Sequence, residues 1–491
     1  MQAPDQIERD AWIDLLRVAS VAVVVIGHWV TTTVIWEDDR IGIENALSVV
    51  RGSHISTWLI QVMPVMFFVG GFSNYRSYDR HDRAYLGFLR SRLARLLAPT
   101  LVFVGIWTVI GFVAQVSDLG LPNIVDRAAD LAALPFWFLG LYLFVVALAP
   151  MMLQLHRRFG SRAAGAMAGG AALVDLVHHG LGVPHIGYLN FALVWLLAHQ
   201  IGFLYADGSL VRLSQRAVLA ATAAGLAMLV LLTTVGGYPV SLVGVPGDER
   251  WNTNPPSLAL VALTCWLIGL ALLAREPLQR SARRWQPWIA LGNASVLTVF
   301  LWHVSALAIA AAVVYPLGMP RPGTGTAEWW ILRPVWIVAA GVVLLLLVAL
   351  FQRFEVHPKP HPATSALRSS AGIAAVGVVL TGFAILGFGV TGFNRPTARL
   401  GEDLLGLELT PVLNLLHLCG GILLLIALYS WPMRRRRLGL WIVSVFLLGL
   451  GWLGVGGVEL LGTNSGIALV HAAIGVVGLG VLLSSRLEER R

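Results

Sequence analysis

Charged residues are scarce in this chain: Asp, Glu, Lys and Arg make up 12% of its 491 residues, whereas 57% of the residues are hydrophobic. Soluble domains carry about 25% charged residues, so this composition excludes a soluble globule and predicts an integral membrane protein. The apolar runs are about 20 residues long and do not alternate with polar residues. This pattern argues against a membrane β-barrel and favours transmembrane helices.

Cysteine and lysine are almost absent. The two cysteines, Cys265 and Cys419, lie inside apolar runs, and their number and spacing exclude a disulfide framework and a zinc motif, so we expect no metal site. Lys359 is the single lysine among 35 basic residues, and this preference for arginine is typical of a G+C-rich bacterial genome. The net charge of +9 comes from arginines grouped between apolar runs, as in cytoplasmic loops, which argues against nucleic-acid binding.

The apolar windows predict an all-α polytopic membrane protein of the bacterial plasma membrane, with about fourteen transmembrane helices. The predicted spans are residues 12–36, 55–74, 96–116, 133–153, 162–179, 187–205, 215–236, 257–274, 289–315, 329–351, 371–393, 410–431, 437–458 and 465–484. Arginine-rich loops follow the second, fourth, eighth and twelfth spans, whereas the intervening loops are acidic or carry few charges. By the positive-inside rule, this alternation predicts that both termini are cytoplasmic.

One polar segment divides the chain. Residues 353–370 are rich in proline and polar side chains, so we expect a cytoplasmic linker after the first ten helices. The predicted domains are therefore a ten-helix membrane domain, residues 1–352, and a four-helix membrane domain, residues 371–491.

The first apolar run, DLLRVASVAVVVIGHW at residues 14–29, contains three ionisable side chains. Eleven residues separate Arg17 from His28, which on an α-helix is three turns plus roughly 20° and a rise of roughly 16.5 Å, so the two share a face. Asp14 lies about one turn before Arg17, where it can orient or neutralise the guanidinium. An arginine at the cytoplasmic edge can bind a phosphate, and a deeper histidine can accept a proton. The competing interpretation is that Arg17 snorkels to the headgroups and His28 bonds to a neighbouring helix.

Other polar residues fall in or beside later spans. His303 lies about as deep in its span as the histidine of the first span, and either a direct role or helix packing fits it. Asp175 can orient a histidine or assist proton transfer, and a packing role has equal weight. For His199, close to the end of a span, we expect solvation. Arg92 and Arg95 lie three residues apart on a helix that enters the membrane, either as a topology signal or as a site for phosphates.

The ordered set of these features resembles the membrane-bound acyltransferase 3 family. Arg17 and His28 match its R-x10-H motif in the first helix, and Arg92 and Arg95 match its RxxR motif after the second helix. Further segments similar to the family are MPVMFFVGGF at 63–72, FWFLGLYLFVVALAP at 136–150 and NASVLTVFLWH at 293–303. The resemblance covers roughly residues 9–352.

The resemblance implies transfer of an acyl group from cytoplasmic acyl-CoA to a carbohydrate or lipid-linked hydroxyl, and hence an O-acyltransferase with no tightly bound cofactor. Arg17, Arg92 and Arg95 would bind the phosphates of CoA, and Asp14 would belong to the same donor site by orienting Arg17. His28 would act as general base on the acceptor hydroxyl or as a transient acyl carrier, with His303 and Asp175 as further catalytic candidates. The implied acceptors are a cell-envelope glycan, a glycolipid or a secreted small molecule, as in O-acetylation. No GxSxG signature of a hydrolase-like domain accompanies the membrane helices, so we expect them to complete the transfer.

The four C-terminal helices resemble a bacterial membrane domain of unknown function. Two similar segments place Asn414 before His417 and Asn464 before His471, and these side chains can meet in a hydrogen-bonded cluster. We expect a role in packing, in forming a homo-oligomer or in binding a partner.

A transporter or exporter is the competing interpretation of the whole chain. In that case the buried His, Asp and Arg side chains would form a proton or substrate pathway without covalent chemistry. The sequence contains no obvious inverted repeat, and the paired R-x10-H and RxxR motifs favour the enzyme.

Overall fold

The computed structural model describes residues 10–37, 40–81, 84–116, 122–183, 185–355, 368–393, 403–404, 407–430, 433–455 and 465–489. These residues are almost entirely helical, which confirms the predicted all-α class. The α-helices are α1 (Ala11–Thr31), α2 (Ala46–Val49), α3 (Thr57–Ile60), α4 (Met63–Arg80), α5 (Tyr85–Val116), α6 (Pro122–Ala132), α7 (Phe136–Phe159), α8 (Ser161–Asp175), α9 (Asn190–Ala206), α10 (Gln215–Thr234), α11 (Leu258–Leu273), α12 (Arg275–Arg284), α13 (Gln286–Ala294), α14 (Val296–Val314), α15 (Ala327–Phe351), α16 (Arg368–Thr391), α17 (Pro411–Ser430), α18 (Met433–Val455) and α19 (Ser465–Glu489). Two short two-stranded sheets pair β1 (Thr32–Glu37) with β2 (Arg40–Asn45) and β3 (Asp403–Leu404) with β4 (Leu407–Glu408).

The helices are long and apolar enough for a multi-pass membrane protein. Within the described residues, eleven helical stretches have the length and composition to cross a membrane, and α11 with α12, bent by 62°, would make a twelfth. The predicted span at 162–179 corresponds to α8, which has 15 residues and continues into one turn of π-helix, Leu176–Gly180. The number of fourteen spans and the cytoplasmic position of both termini stay predictions.

Two segments differ from the structure that their sequence predicts. α1 ends at Thr31, before the predicted end of the first span, and the chain continues into β1. The run TTTVIW explains the change, because β-branched and aromatic side chains favour strands over helices. The arginine-rich stretch at 76–95, predicted in large part as a loop, is mostly helical, since α4 extends to Arg80 and α5 begins at Tyr85. Arginine and leucine are good helix formers, so the charges lie on helix ends rather than on a loop.

The chain consists of two compact units. Unit 1 contains Met1–Ile35, Ile43–Arg76 and Met151–Gln352, and unit 2 contains Trp36–Gly42, Ser77–Pro150 and Arg353–Arg491. The unit boundaries thus fall within β1, β2, α4 and α7 and after Gln352. Residues 356–367 of the predicted linker lie outside the described residues, so the proposed division at 353–370 stays a prediction.

In unit 1, α4 and α9 cross at two glycines. A Cβ atom on Gly71 or on Gly202 would collide with backbone atoms of the other helix, so only glycine permits this approach. Beside the crossing, Phe67 stacks on Trp195 with ring centroids 4.8 Å apart, and Trp12 of α1 is fully buried. This packing holds α1, α4 and α9 in fixed positions around the polar residues described below.

In unit 2, α16 lies along α17, and α18 lies along α19. His417 of α17 and His471 of α19 are both buried and face each other, with 2.7 Å between their Nε2 atoms. Asn414 donates a hydrogen bond to Thr391 Oγ1 at 3.0 Å. Asn464 lies outside the described residues. The predicted polar cluster therefore contains a histidine pair that joins the two helical hairpins.

Candidate functional site

α1 begins at a well-defined cap. The backbone N–H groups of Trp12 and Ile13 donate to Asp10 Oδ1 at 3.1 and 3.3 Å, and the Tyr205 hydroxyl donates to Asp10 Oδ2 at 2.7 Å. An aspartate in this position accepts hydrogen bonds from free N–H groups of the first turn, and its negative charge interacts favourably with the positive end of the helix dipole. The cap fixes the start of α1 relative to α9. It thereby fixes the positions of Asp14 and Arg17, about one and two turns further along α1.

The Arg17 guanidinium is held by three side chains. It donates to Asp14 Oδ1 at 2.9 Å, to Asn293 Oδ1 at 3.0 Å and to Ser73 Oγ at 2.7 Å. The side chains of Arg17 and Asp14 are 24% and 23% exposed. The predicted pairing of Asp14 with Arg17 is therefore present. A guanidinium that is oriented by its partners and remains partly exposed is suited to a phosphate, which it binds through several N–H groups at once.

His28 and His303 form a hydrogen-bonded pair. His28 Nδ1 lies 2.8 Å from His303 Nε2, although 275 residues separate the two in sequence. The ring planes are inclined by 13°, and the ring centroids lie 5.1 Å apart, much further than the two facing nitrogens. The rings are therefore nearly coplanar and meet edge to edge, which is the geometry of an N–H···N hydrogen bond rather than of a face-to-face stack.

The partners of the pair determine its tautomers. His303 Nδ1 lies 2.6 Å from the Phe300 carbonyl oxygen, and a carbonyl only accepts, so Nδ1 of His303 carries a proton. In neutral His303 the other nitrogen, Nε2, is then an acceptor, and His28 must donate to it from Nδ1. Neutral His28 therefore has an unprotonated Nε2, for which no hydrogen-bond partner exists among the described residues. This lone pair is able to take a proton from a substrate.

Two consecutive helices, α13 and α14, which are separated by a break at Ser295, contact the two polar residues of α1. Asn293 is on α13 and His303 is on α14, ten residues later, while Arg17 and His28 are eleven residues apart on α1. The spacing of these contacts shows that the chain direction of α1 is the same as that of α13 and α14. The predicted common face of Arg17 and His28 is therefore the face packed against α13 and α14.

Asp175 is placed among different partners. It is 2% exposed, and its carboxylate accepts from Asn190 Nδ2 at 2.8 Å, from the Tyr238 hydroxyl at 2.9 Å and from the backbone N–H of Leu258. Burial and the adjacent carboxylate raise the pKa of Tyr238 above its usual range, so the phenol stays protonated and donates. These contacts connect α8 and α9 to the start of α11. They support the packing role, which the sequence left open beside a catalytic role.

Replacing Asp175 with alanine is expected to lower stability much more than activity. The change removes the acceptor of the Tyr238 hydroxyl and of the first N–H of α11, and it leaves Asn190 Nδ2 with only the Ala171 carbonyl at 3.4 Å, at a cost of about 1–3 kcal/mol. The measurement is thermal unfolding of the purified variant in detergent, together with activity per folded molecule. We expect a lower Tm and nearly unchanged activity, with the partly exposed neighbour His178→Ala as the control. A folded Asp175→Ala protein with no activity would instead establish a catalytic role.

Arg92 and Arg95 lie on the first turns of α5, in unit 2. Both side chains are partly buried, and the Arg92 guanidinium carbon lies 5.9 Å from the ring centre of Phe88 on the previous turn. The three-residue spacing places the two arginines on neighbouring positions of one helix, as predicted. Their proposed contact with a phosphate stays a prediction.

A buried polar cluster in unit 1 was not predicted from the sequence. His156 Nδ1 accepts from Gln200 Nε2 at 2.8 Å, and its Nε2 lies 3.0 Å from Asp207 Oδ2. Next to this group, His199 lies 3.1 Å from Asn74 Nδ2 and is fully buried, so the expected solvation of His199 is wrong. The reason is that His199 points to the crossing of α4 and α9 rather than along the membrane surface. Two adjacent polar residues, His199 and Gln200, in an otherwise apolar helix were the available signal.

Comparison with known proteins identifies the family. The profile of acyltransferase family 3, described as an acyltransferase domain, matches residues 10–353, well over half of the chain. Among the curated proteins and among the solved structures, none matches. The matched range contains α1 with Arg17 and His28, the α5 arginines, and α14 with His303. The chain therefore belongs to the acyltransferase 3 family and is a multi-pass membrane acyltransferase.

Proposed function

We propose that this protein transfers an acyl group from acyl-CoA to a hydroxyl group of a cell-envelope glycan, a glycolipid or a secreted small molecule, in the bacterial plasma membrane. The observation that carries this proposal is the His28–His303 pair. It holds an imidazole inside a membrane helix with one nitrogen donating to a fixed partner and the other unprotonated. A buried ionisable group of this kind is a functional candidate in a membrane protein, because placing an ionisable side chain inside the membrane is costly and such residues are rare.

The proposed reaction uses His28 as general base. Nε2 of His28 removes the proton of the acceptor hydroxyl while the hydroxyl oxygen attacks the thioester carbonyl carbon. The resulting tetrahedral intermediate breaks its C–S bond, and the imidazolium returns the proton to the departing sulfur of CoA. The products are an ester and CoA with a free thiol. His303 accepts the Nδ1–H of His28 throughout, so it keeps the ring oriented and stabilises the imidazolium, as a partner of a catalytic histidine does in other enzymes.

Arg17 is proposed to bind the donor. It lies roughly 16.5 Å from His28 along α1, a distance that the pantetheine arm bridges when the phosphates are bound at Arg17. Asp14, Ser73 and Asn293 hold the guanidinium in one orientation, which lowers the entropy lost on binding. For Arg92 and Arg95 of unit 2, binding of a phosphate is proposed from the RxxR motif alone.

The experiment that tests the function uses the purified full chain in lipid nanodiscs with labelled acyl-CoA and envelope extract. We expect release of CoA and a labelled, ester-linked product. The same protein in sealed vesicles distinguishes the transporter, since movement of a labelled compound across the membrane without CoA release would overturn the acyltransferase reaction.

Arg17→Ala is expected to weaken acyl-CoA binding about tenfold, with kcat changed much less. A hydrogen bond to a charged group contributes about 1.5–3 kcal/mol, and each 1.4 kcal/mol is a tenfold change in affinity. The measurement is the Kd for acyl-CoA and, separately, for the matching acyl-pantetheine, which lacks the nucleotide phosphates. The exposed Arg212→Ala is the matched control. Equal loss of affinity for both thioesters would show that Arg17 does not bind a phosphate.

A further inference from the structure

The opposite end of α1 from Arg17 carries an aromatic pocket. Thr33, at the start of β1, lies beside the end of α14 and the first turns of α15, and a small open cleft lies between them. The aromatic residues that line it are Tyr315, Trp329 and Trp336, and the charged residues are Arg321 and Arg333. No Asp or Glu is among the residues that line this pocket.

Arg333 is a buried cation with neutral partners. It is 7% exposed, and its guanidinium donates to the Thr32 carbonyl at 3.1 Å, to the Trp29 carbonyl at 3.4 Å and to Thr33 Oγ1 at 2.7 Å. Its central carbon lies 3.8 Å from the ring centre of Trp329. In the part of the chain that the structure describes, it forms no ion pair with a carboxylate. Burying an uncompensated charge is costly, so this arrangement points to a negatively charged ligand.

The three hydrogen bonds fix the guanidinium but leave part of it for a ligand. Arginine has five N–H donors, and these bonds use three of them. The remaining donors match a carboxylate or a phosphate, which arginine binds through two parallel hydrogen bonds.

A second arginine adds positive charge to the same pocket. The guanidinium carbon of Arg321 lies 5.6 Å from the ring centre of Tyr315. Burial raises the pKa of the Tyr315 hydroxyl, so this phenol is neutral and does not offset the charge of either arginine. Two arginines and no acidic residue therefore line the pocket.

Three aromatic side chains contribute apolar surface to the pocket. Tyr315 and Trp336 lie with ring centroids 5.5 Å apart and planes inclined by 43°, and the Trp329 face carries Arg333. Large aromatic faces contribute apolar contact area while their polar edges remain available for hydrogen bonds. Aromatic surface beside two arginines fits a ligand that combines a ring with an acidic substituent, as in a uronic acid or a sugar phosphate.

The pocket is connected directly to the histidine pair. Trp29, whose carbonyl accepts from Arg333, donates from Nε1 to the His303 carbonyl at 2.8 Å. Thr32, whose carbonyl also accepts from Arg333, donates its backbone N–H to the His28 carbonyl. Thr32, which precedes the pocket residue Thr33, therefore lies about one helical turn, roughly 6 Å, beyond His28 along α1.

We propose that this pocket is the acceptor site and that it selects an acidic sugar, with Arg333 and Arg321 binding its carboxylate or phosphate. The donor is proposed to bind at the Arg17 end of α1. The acceptor would approach His28 from the other end of the helix. The assignment as acceptor site rests on the proposed function. Binding of an acidic sugar to this pocket does not depend on it.

The test measures binding of three probes to the full chain in nanodiscs, without acyl-CoA. The probes are a glucuronic-acid disaccharide, a hexose 1-phosphate and the neutral disaccharide matched to the first. We expect at least one acidic probe to bind about tenfold or more tightly than the neutral one, and we expect Arg333→Gln and Arg321→Gln each to remove that preference. Arg212→Gln, an exposed arginine elsewhere in unit 1, is expected to retain it. Arg321 is exposed, so its variant tests the proposal even where Arg333→Gln lowers the Tm.

Several results would overturn the inference. They are equal binding of acidic and neutral probes, no binding of any probe, and an unchanged preference in folded Arg321→Gln. Repeating the titration in phosphatidylglycerol and phosphatidylcholine nanodiscs tests a lipid source of the anion. Full competition by phosphatidylglycerol would assign the pocket to a lipid headgroup instead. Binding of an acidic probe without acyl transfer would disprove the proposed function but retain the acidic-sugar site. Acyl transfer that is unchanged in both arginine variants would disprove the site but retain the proposed function.

Discussion

His28→Ala is expected to slow acyl transfer at least a hundredfold while acyl-CoA still binds. General acid–base catalysis by one side chain contributes about 10²- to 10⁴-fold, so kcat should fall by at least 10². The donor phosphates are proposed to bind at Arg17, roughly 16.5 Å away along α1, so the Kd for acyl-CoA should change little. The measurement combines CoA release, labelled product and direct acyl-CoA binding in nanodiscs.

The control for His28→Ala is His178→Ala. His178 is also an ionisable ring of unit 1, but it is partly exposed, and its Nδ1 contacts the Val183 carbonyl at 3.0 Å. We expect this variant to keep normal activity. Equal rates for wild type and His28→Ala would disprove the base role of His28.

The same variant separates a general base from an acyl carrier. A base transfers only protons, so rapid quenching of the wild type with labelled acyl-CoA should leave no label on the protein. A carrier would form an acyl-imidazole on His28 before the acceptor reacts. Label on wild type that is absent from His28→Ala would replace the general-base mechanism with covalent catalysis.

Residues within one helix were the most predictable part of the site. The helix repeat alone places Arg17 and His28 on one face and Asp14 within reach of Arg17, and the structure contains both arrangements. Apolar composition likewise predicts the helices, because a segment in lipid must satisfy its backbone hydrogen bonds internally.

Contacts between distant segments were not predictable in the same way. His28 and His303 were expected at similar depth, but nothing in one sequence shows that α1 and α14 touch, and the tautomers follow only from the Phe300 carbonyl. Arg333 is a sharper case. It lies near the end of a predicted span, where a snorkelling arginine is usual, and only the fold shows that it is buried against Trp329.

His303→Leu is expected to lower kcat by about a hundredfold to a thousandfold with little change in the KM for acyl-CoA. Leucine offers no acceptor to Nδ1–H of His28, so the ring loses the bond that fixes its tautomer and stabilises the imidazolium. Losing such a partner costs about 10–100-fold where it only orients an imidazole, and up to about 10⁴-fold where the wrong tautomer results. The measurement is steady-state kinetics with acyl-CoA varied at saturating acceptor.

His303→Gln separates this positioning role from simple packing. Its side-chain oxygen can accept from His28 at the place of the lost Nε2, so we expect activity within about tenfold of wild type. Both variants keep the bond from Trp29 Nε1, because that bond is to the backbone carbonyl of residue 303. Packing of α1 against α14 is therefore retained, and thermal unfolding checks it. If leucine and glutamine reduce kcat equally, or if both mainly raise KM, His303 supports the helices rather than the tautomer of His28, and the lone pair on His28 Nε2 needs another origin.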